Sequence, residues 1–325
     1  MTEAKRDFRR DVLSAYDLIR ADIKRTPVER SEPLSRSSGA DVHFKWEIEQ
    51  VTGSFKFRGA LHKLRALPAA TRANGVVSAS TGNHGLAISH AARLEGVGLT
   101  LFLPITVAEV KRRKLEALGV PLRFHGASCE KTEIAAREYA AGEGRTFVSP
   151  YNDLDIIRGQ GTLGVEAAED LPALEAVFVP VGGGGLVAGV GAYLKSVIPS
   201  LVVVGVEPEN SAFMEASLRA GRLVEVEERE TVADAVAGGI EPGSVTFPLC
   251  QAFVDRIVLV SEDAILRAMS LMSRHHGRMA EGAGALALAG LLTAAGDFRG
   301  RRVLCVVSGG NIDRDRFREL TVAVP

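Results

Sequence analysis

Hydrophobic and polar positions along the chain follow a helical period first and then alternate between strand and helix. Near the N-terminus, apolar residues recur every three or four positions and predict an amphipathic helix: Phe8, Val12, Leu13, Tyr16, Leu18, Ile19 and Ile23. From about Ser54 onward, β-rich runs at 76–79, 99–103, 122–124 and 147–148 alternate with helical stretches at 86–94, 109–118 and 130–141. Thr106 with Glu109 fits a capping box at the start of the second stretch. Such alternation is typical of parallel strands covered by helices.

The second half of the chain repeats this rhythm with longer apolar runs. Three runs are almost entirely apolar, as strands buried on both faces are: 176–181, 201–207 and 302–308. The stretch 282–295 is the longest apolar segment, but it is shorter than the roughly 18 residues that a membrane span needs. It therefore predicts a core helix, and no membrane is expected as a partner.

The order of elements predicts an α/β fold with two domains. The boundary falls near residue 145 on the pattern alone. We expect a smaller α/β domain over residues 54–145 and a larger, cofactor-binding domain made of residues 1–53 plus 146–325.

Composition and charge narrow the class of partner. The 46% hydrophobic and 24% charged residues exclude a disordered chain. The 39 basic and 40 acidic residues give a formal charge of −1, so the basic excess that nucleic-acid binding requires is missing. Three distant cysteines, Cys129, Cys250 and Cys305, indicate neither a disulfide framework nor a zinc site. With no apolar secretory segment at the N-terminus, these features favour a cytoplasmic protein that binds a small molecule.

Three turns rich in glycine and small polar residues follow predicted strands. They are STGNHG at 80–85, GGGG at 182–185 and SGGN at 308–311. Open α/β sheets bind ligands beyond the carboxyl ends of their strands, so we expect these turns to lie near a site. Four consecutive glycines before a helix let backbone N–H groups approach a phosphate closely.

The kind of phosphate ligand has two interpretations at this point. No Lys-Ser or Lys-Thr follows the glycines, which excludes a P-loop. Gly183, Gly185 and Ala188 match G-x-G-x-x-A, and Glu207 follows about 20 residues later, as in a nicotinamide dehydrogenase. Against this, VTGSFKFRGA places Lys56 between two phenylalanines. Apolar walls lower the pKa of a lysine and let it form a Schiff base with an aldehyde cofactor, although the spacing alone favours an ordinary surface lysine at a helix start.

Four motifs together decide between these interpretations. SFKFRGA, STGNHG, GGGG and SGGN, in this order, resemble the fold-type-II enzymes that use pyridoxal phosphate, above all the threonine/serine dehydratases and serine racemases. The similarity runs from near Arg25 to about Asn311. It implies two domains with three-layer open sheets, a tryptophan-synthase-β-like fold, pyridoxal 5'-phosphate as cofactor and a homodimeric assembly. The dehydrogenase becomes a minor alternative.

The resemblance also implies roles for single residues. Lys56 would hold the cofactor as a Schiff base and then abstract the α-proton of the substrate. Phe55 would flank it, Asn83 would bond the phenolic oxygen and Ser308 would face the pyridine nitrogen. The phosphate would be bound by Gly182, Gly183, Gly184, Gly185 and Leu186. The substrate carboxylate would be surrounded by Ser80, Thr81, Asn83 and His84.

The expected reaction is β-elimination from a β-hydroxy amino acid, giving a 2-oxo acid and ammonia. Ser308 does not enforce protonation of the pyridine ring, which favours prompt loss of a β-leaving group over a long-lived carbanion. Thr81 stands where related racemases carry a serine that protonates the opposite face, and its branched Cβ changes that approach. An amino-acid racemase, a β-replacing synthase and a non-catalytic binder of pyridoxal phosphate remain alternatives.

Some residues depart from the family pattern or leave their role open. Glu207 matches the first ligand of a divalent-cation site, but Phe213 replaces a later carboxylate, so we expect no metal. Tyr151, Asn152 and Asp153 add polarity where a substrate side chain would lie, which resembles hydroxyectoine-utilisation dehydratases. Glu281 fits either a polar helix start or a site residue.

Overall fold

A computed structural model of the protein describes residues 3–322, which form ten strands and fourteen α-helices. The strands are β1 (Val28–Arg30), β2 (Asp41–Trp46), β3 (Val76–Ala79), β4 (Leu99–Leu103), β5 (Leu122–Phe124), β6 (Thr146–Phe147), β7 (Ala176–Pro180), β8 (Val202–Pro208), β9 (Arg256–Val260) and β10 (Arg302–Val307). The helices are α1 (Glu3–Ile19), α2 (Glu32–Ser38), α3 (Lys56–Ala66), α4 (Ala69–Asn74), α5 (Asn83–Glu95), α6 (Glu109–Glu116), α7 (Cys129–Gly142), α8 (Leu154–Asp170), α9 (Gly185–Val197), α10 (Phe213–Ala220), α11 (Thr246–Phe253), α12 (Glu262–His276), α13 (Gly282–Thr293) and α14 (Arg314–Thr321).

The strands form two sheets, and the predicted α/β class is confirmed. The larger sheet has the order β1-β2-β10-β7-β8-β9, with every pair parallel except β1 with β2. The smaller sheet has the order β5-β4-β3-β6 and is parallel throughout. Since β6 pairs with β3, the smaller sheet extends to Phe147, just past residue 145. The division into two domains at that residue stays a prediction.

Both sheets lie between two layers of helices. Alternate residues of a central strand face opposite cores: in β7, Phe178 packs with α12 and α13, whereas Val177 and Val179 pack with α8 and α9. In the smaller sheet, Val76 packs with α3 and α5, and its neighbour Val77 packs with α7. This two-sided burial explains why most of these strands are visible in the sequence as continuous apolar runs.

Most predicted elements are confirmed, and three strands were missed. Predicted strands at 76–79, 99–103 and 122–124 coincide with β3, β4 and β5, while the run at 147–148 lies one residue earlier as β6. The apolar stretch at 282–295 forms α13, buried along nearly its whole length. The strands without a prediction are β1, β2 and β9. In β2 the buried Lys45 interrupts the apolar run, and β9 is only partly buried.

The predicted capping box before α6 is wrong. The N-cap residue is Ala108, which makes no side-chain cap. The Thr106 hydroxyl instead donates to the carbonyl of Ala127. A side-chain cap does occur before α7, where the Ser128 hydroxyl accepts a hydrogen bond from the N–H of Lys131.

No helix in the described part of the chain is both long and apolar enough to cross a membrane.

A buried ion network joins α3 to the larger sheet. Arg58 donates to both carboxylate oxygens of Glu47 at 2.8 Å and to Glu166 of α8 at 2.8 Å. Lys45 of β2 donates to the same Glu166 at 2.7 Å. The side chains of all four residues are fully buried. Burial alone would lower the pKa of Arg58, but the carboxylates of Glu47 and Glu166 raise it above its ordinary value. Two cations therefore balance two anions in the core, two residues from Lys56.

Replacing Glu166 with glutamine leaves Lys45 and Arg58 with one carboxylate between them. We expect the free energy of unfolding to fall by about 3–5 kcal/mol, because a buried charge loses its partner. The measurement is denaturant-induced unfolding of Glu166→Gln. The matched control is Glu169→Gln on the same helix, since Glu169 forms an exposed pair with Arg25 and should cost about 1 kcal/mol or less. Equal stability of the two variants would show that the network contributes no more than a surface pair.

Candidate active site

The segment that precedes Lys56 lies along the turn after β10. Ser54 and Gly309 form an isolated antiparallel bridge. The N–H of Phe55 donates to the carbonyl of Ser308 at 3.0 Å, and the N–H of Gly310 donates to the carbonyl of Gly53 at 3.0 Å. These contacts join two of the predicted motifs, SFKFRGA and SGGN. They place Lys56, the first residue of α3, at the carboxyl end of the larger sheet.

The Lys56 amine lies in a weakly polar environment. Its Nζ donates to the carbonyl of Pro150 at 2.9 Å and lies 5.1 Å from the centre of the Phe55 ring. Burial lowers the pKa of Lys56 to about 8, opposed by the charge of Glu281. Phe57, the other flanking phenylalanine, packs against His90 in the core between the smaller sheet and its helices α3 and α5. One aromatic ring, rather than two, therefore borders the amine.

The glycine turn between β7 and α9 is shaped by close contacts on several sides. Gly184 has a φ of +84°, a conformation that strongly favours glycine. A Cβ on Gly182 would lie 2.8 Å from the carbonyl oxygen of Val236, and one on Gly183 would lie 2.4 Å from the Tyr151 ring. Packing thus requires small residues here, which the sequence did not indicate. The positive φ accounts for Gly184 only. The close approach of neighbouring segments accounts for Gly182 and Gly183.

The N–H groups at the start of α9 are available to an anion. Among the described residues, the backbone N–H groups of residues 182–187 make no hydrogen bond to a protein acceptor. Unpaired N–H groups at a helix N-terminus, together with the helix dipole, favour a phosphate group. The turn therefore fits the phosphate of the expected cofactor.

The polar residues after Pro150 are used within the protein, contrary to the expectation that they face a substrate. The Tyr151 hydroxyl accepts from the N–H of Glu241 at 3.1 Å, and Asn152 Oδ1 accepts from the N–H of Val245 at 2.8 Å. Asp153 caps α8 and pairs with Lys63 at 2.7 Å. These contacts hold the segment against residues 241–245 on one side and against α3 on the other.

The STGNHG turn connects β3 to α5 and contributes an amide side chain and hydroxyl side chains to the candidate site. Asn83 is the first residue of α5, and its amide is hydrogen-bonded at both ends: Nδ2 donates to Glu281 Oε1 at 2.5 Å, and Oδ1 accepts from Asn311 at 2.6 Å. The Ser80 hydroxyl accepts from the N–H of Gly82 at 3.3 Å. Thr81 is half-buried in the same turn. Its proposed role on the opposite face stays a prediction.

His84 is a neutral, buried imidazole. Its Nε2 lies 3.1 Å from the Ser78 hydroxyl, which itself donates to the carbonyl of Val148 at 2.8 Å. Because that hydroxyl proton is already used, Nε2 is the protonated nitrogen and Nδ1 presents a lone pair. Burial, and then the charge of Lys56, lower the pKa of His84 to about 3. A lone pair does not bind a carboxylate, so any contribution of His84 to substrate binding comes from its backbone N–H.

Glu281 belongs to the site. It stands at the N-cap position of α13 but makes no side-chain cap, and its carboxyl turns to Asn83 instead. Burial raises the pKa of Glu281 to about 7, opposed by the Asn83 hydrogen bond. Of the two interpretations, a polar helix start and a site residue, the contacts favour the second.

Ser308 and Glu207 are the remaining two residues for which the sequence suggested a role. Ser308 is buried directly after β10, with its hydroxyl 3.4 Å from the carbonyl of Ala283. Both carboxylate oxygens of Glu207 accept N–H groups at the start of α10, from Met214 at 2.9 Å and from Glu215 at 2.7 Å. Burial raises the pKa of Glu207 to about 8. Glu207 therefore uses both carboxylate oxygens to cap the start of α10.

Comparison with known proteins agrees with this geometry. A model of the family "pyridoxal-phosphate dependent enzyme" matches residues 19–309. The chain belongs to this family. The L-threonine ammonia-lyase of Thermotoga maritima is 40% identical over 303 residues, which cover 93% of this chain and 75% of that protein. The catabolic L-threonine dehydratase of Escherichia coli is 36% identical over 313 residues, covering 96% and 95% of the two chains.

Solved structures of similar proteins extend the comparison to the fold. The processed form of threonine deaminase isoform 2 from Solanum lycopersicum superposes with a TM-score of 0.93 at 31% identity, covering 99% of this chain and 94% of that one. Maize serine racemase gives a TM-score of 0.90 at 29% identity, covering 96% and 95%. The fold-type-II assignment of this pyridoxal-phosphate dependent enzyme is confirmed, and the nicotinamide interpretation of the glycine turn is wrong.

Sequence reasoning missed two contacts of the pyridoxal-phosphate enzyme's site. The carbonyl of Pro150 accepts from Lys56, and Asn311 donates to Asn83. Asn311 was visible as the last residue of SGGN, but a motif does not indicate which distant side chain it meets. Nothing in the residue type of Pro150 marks its carbonyl as a partner.

The lowered pKa of Lys56 is measurable in the cofactor-free enzyme. With a pKa of about 8, half of the Lys56 amines are neutral at pH 8, compared with well under ~1% for an ordinary lysine of pKa about 10.4. We expect reductive methylation of Lys56, followed by peptide mass spectrometry, to rise with a midpoint near pH 8. N-acetyl-lysine in the same mixture serves as the reference. Parallel pH profiles for Lys56 and the reference would contradict the proposed environment.

Proposed function

We propose that this enzyme removes water from a β-hydroxy amino acid such as threonine or serine by β-elimination and then releases ammonia and a 2-oxo acid. The observation on which the proposal depends is a lysine of lowered pKa at the point where three strand-terminal turns converge. Relatives named threonine dehydratase or ammonia-lyase, at 36–40% identity, support the same reaction. Because a serine racemase is among the similar structures, racemisation of the substrate is the alternative reaction that an assay has to distinguish.

The chain offers a complementary group for each part of the cofactor. We propose that the N–H groups of the glycine turn and of Leu186 bind its phosphate. Asn83 and Ser308 bind polar atoms of the ring, and Phe55 packs beside the amine that holds it. Pyridoxal phosphate, when bound, supplies the electron sink for negative charge at the substrate's α-carbon.

Lys56 has two tasks, and both require the neutral amine. Its Nζ would hold the cofactor through the aldehyde group, whose oxygen leaves as water, and once displaced by the substrate amine Nζ would accept the α-proton of the substrate. The hydrogen bond to Pro150 orients this nitrogen. Because the pKa of Lys56 is lowered to about 8, a substantial fraction is neutral close to neutral pH.

The substrate carboxylate is proposed to bind at the start of α5. Backbone N–H groups of the first turn and the helix dipole favour an anion there. Ser80 and Thr81 add polar side chains, and Asn83 and His84 contribute their backbone N–H groups. The neutral imidazole of His84 adds no charge of its own, so the recognition depends on the backbone.

Borohydride reduction tests the assignment of Lys56. We expect the purified enzyme with pyridoxal phosphate to show a visible absorption band that borohydride bleaches, with the label on Lys56 in peptide maps. Lys56→Ala should lose this label and release ammonia from L-threonine and L-serine at least about 10³-fold more slowly, since the base is removed. The exposed Lys114→Ala is the control and should behave as the wild type.

Three results would overturn the proposal. A label on another lysine would remove Lys56 from its role. Ammonia release by Lys56→Ala within tenfold of the wild type would contradict the mechanism. Formation of the opposite enantiomer without ammonia would identify a racemase instead.

We further propose that the enzyme acts in the cytoplasm as a homodimer. The three cysteines are unpaired, and burial raises the pKa of the thiols of Cys250 and Cys305, which suits a reducing compartment. Sedimentation velocity should give twice the chain mass of 34.5 kDa. A single species at the mass of one chain would contradict the dimer.

A further inference from the structure

Asn311 contacts two other motifs of the site. Its Nδ2 donates to the backbone carbonyl of Thr52 at 2.8 Å and to Asn83 Oδ1 at 2.6 Å. Thr52 lies four residues before Lys56, and Asn83 begins α5. One side-chain amino group thus joins the turn after β10 to the lysine segment and to the STGNHG turn.

These contacts determine which way the Asn83 amide faces. A backbone carbonyl only accepts hydrogen bonds, so Asn311 must turn its amino group toward Thr52. The second hydrogen of that amino group then meets Asn83, which must present its oxygen. The Asn83 amino group consequently faces the other way, with one hydrogen on Glu281 and one hydrogen left for a ligand.

Glu281 alone does not fix this orientation. Its carboxyl has a pKa raised to about 7 by burial, so it either accepts or donates near neutral pH, and it can bond either end of an amide. The amino group of Asn311 donates under all these conditions. The direction of the Asn83 amide therefore depends on Asn311.

The fold keeps space for this contact at Gly53. Gly53 has a φ of +73°, and a Cβ at this position would lie 2.6 Å from Asn311 Oδ1. The N–H of Gly310 donates to the Gly53 carbonyl at 3.0 Å, which holds the two segments together. Any larger residue at position 53 would displace the Asn311 side chain. The glycine of VTGSFK is thus explained by the approach of Asn311.

We propose that Asn311 is a positioning residue that fixes the Asn83 amide with its free N–H directed at the phenolic oxygen of the cofactor. The proposal deepens the proposed function and rests on it. Without the Asn311 donor, the Asn83 amide can rotate by half a turn and present its oxygen to the cofactor oxygen. Two acceptors then face each other, and the hydrogen bond is lost.

A double-mutant cycle separates this indirect role from a direct one. The variants are Asn83→Ala, Asn311→Ala and the double replacement, and the readouts are the dissociation constant of pyridoxal phosphate and the position of its bound absorption band. We expect each single replacement to weaken binding about tenfold. The double variant should bind no more weakly than Asn83→Ala, because Asn311 acts through Asn83.

The control is Asn74→Ala, which removes an exposed amide donor to a backbone carbonyl far from the site and should leave cofactor affinity unchanged. Circular dichroism and thermal unfolding of the cofactor-free variants report on folding. Should Asn311→Ala fail to fold, Asn311→Asp keeps the shape while removing both donors, and it should show the same weakening and the same coupling to Asn83.

Two contrary results are distinct from each other. The positioning role would be overturned if the double variant bound the cofactor about a hundredfold more weakly, which is the product of the two single effects, or if Asn311→Ala had no effect. In either case, a borohydride label on Lys56 would leave the proposed function standing. Absence of any label on Lys56 in the wild type would overturn both.

Discussion

The position of the reactive lysine depends on the buried ion pairs that the Arg58 guanidinium forms with Glu47 and Glu166. Arg58 binds Glu47 at the end of β2 and Glu166 in α8, and it lies in the first turn of α3, two residues after Lys56. The start of α3 is therefore fixed to both a strand and a helix of the larger sheet. A charged group completely removed from water tolerates little displacement, because moving it separates it from its carboxylates.

Two buried cations in the first turn of α3, Arg58 and Lys56, have pKa values shifted in opposite directions. The carboxylates of Glu47 and Glu166, at 2.8 Å, raise the pKa of Arg58 above its ordinary value, whereas burial lowers the pKa of Lys45 despite its partner Glu166 at 2.7 Å. The Lys56 amine has the Pro150 carbonyl as its partner and the Phe55 ring beside it. No carboxylate in the described part of the chain is hydrogen-bonded to it, so burial lowers the pKa of Lys56. The chain thus uses the same low-polarity interior to hold one side chain as an ion and to keep another chemically reactive.

The sequence predicts the parts of this site that follow from local chemistry. Parallel strands end at one edge of a sheet, so the turns after β7 and β10, which are neighbours in the larger sheet, were expected to lie together, and motif order identified Lys56. The turn after β3 belongs to the smaller sheet, so this rule alone does not place it beside the other two. The rest depends on long-range packing. Asn311 and Asn83 are 228 positions apart, and nothing in either residue indicates the other. Tyr151 and Asp153 looked suited to a substrate, yet partners distant in sequence use their polar atoms. β2 was missed because Lys45, a charged residue, sits in its core.

The place of β10 in the larger sheet bears on how the protein is made. This strand lies between β2 and β7, although it is the last strand in the described residues 3–322. A nascent chain emerging from the ribosome therefore holds two half-sheets with an unfilled central gap until residues 302–307 appear. Contacts between segments so far apart in sequence form slowly, and exposed strand edges invite wrong pairings in the meantime. Because the turn after β10 carries Ser308 and Asn311, the candidate site is incomplete until residues 308–311 have been translated.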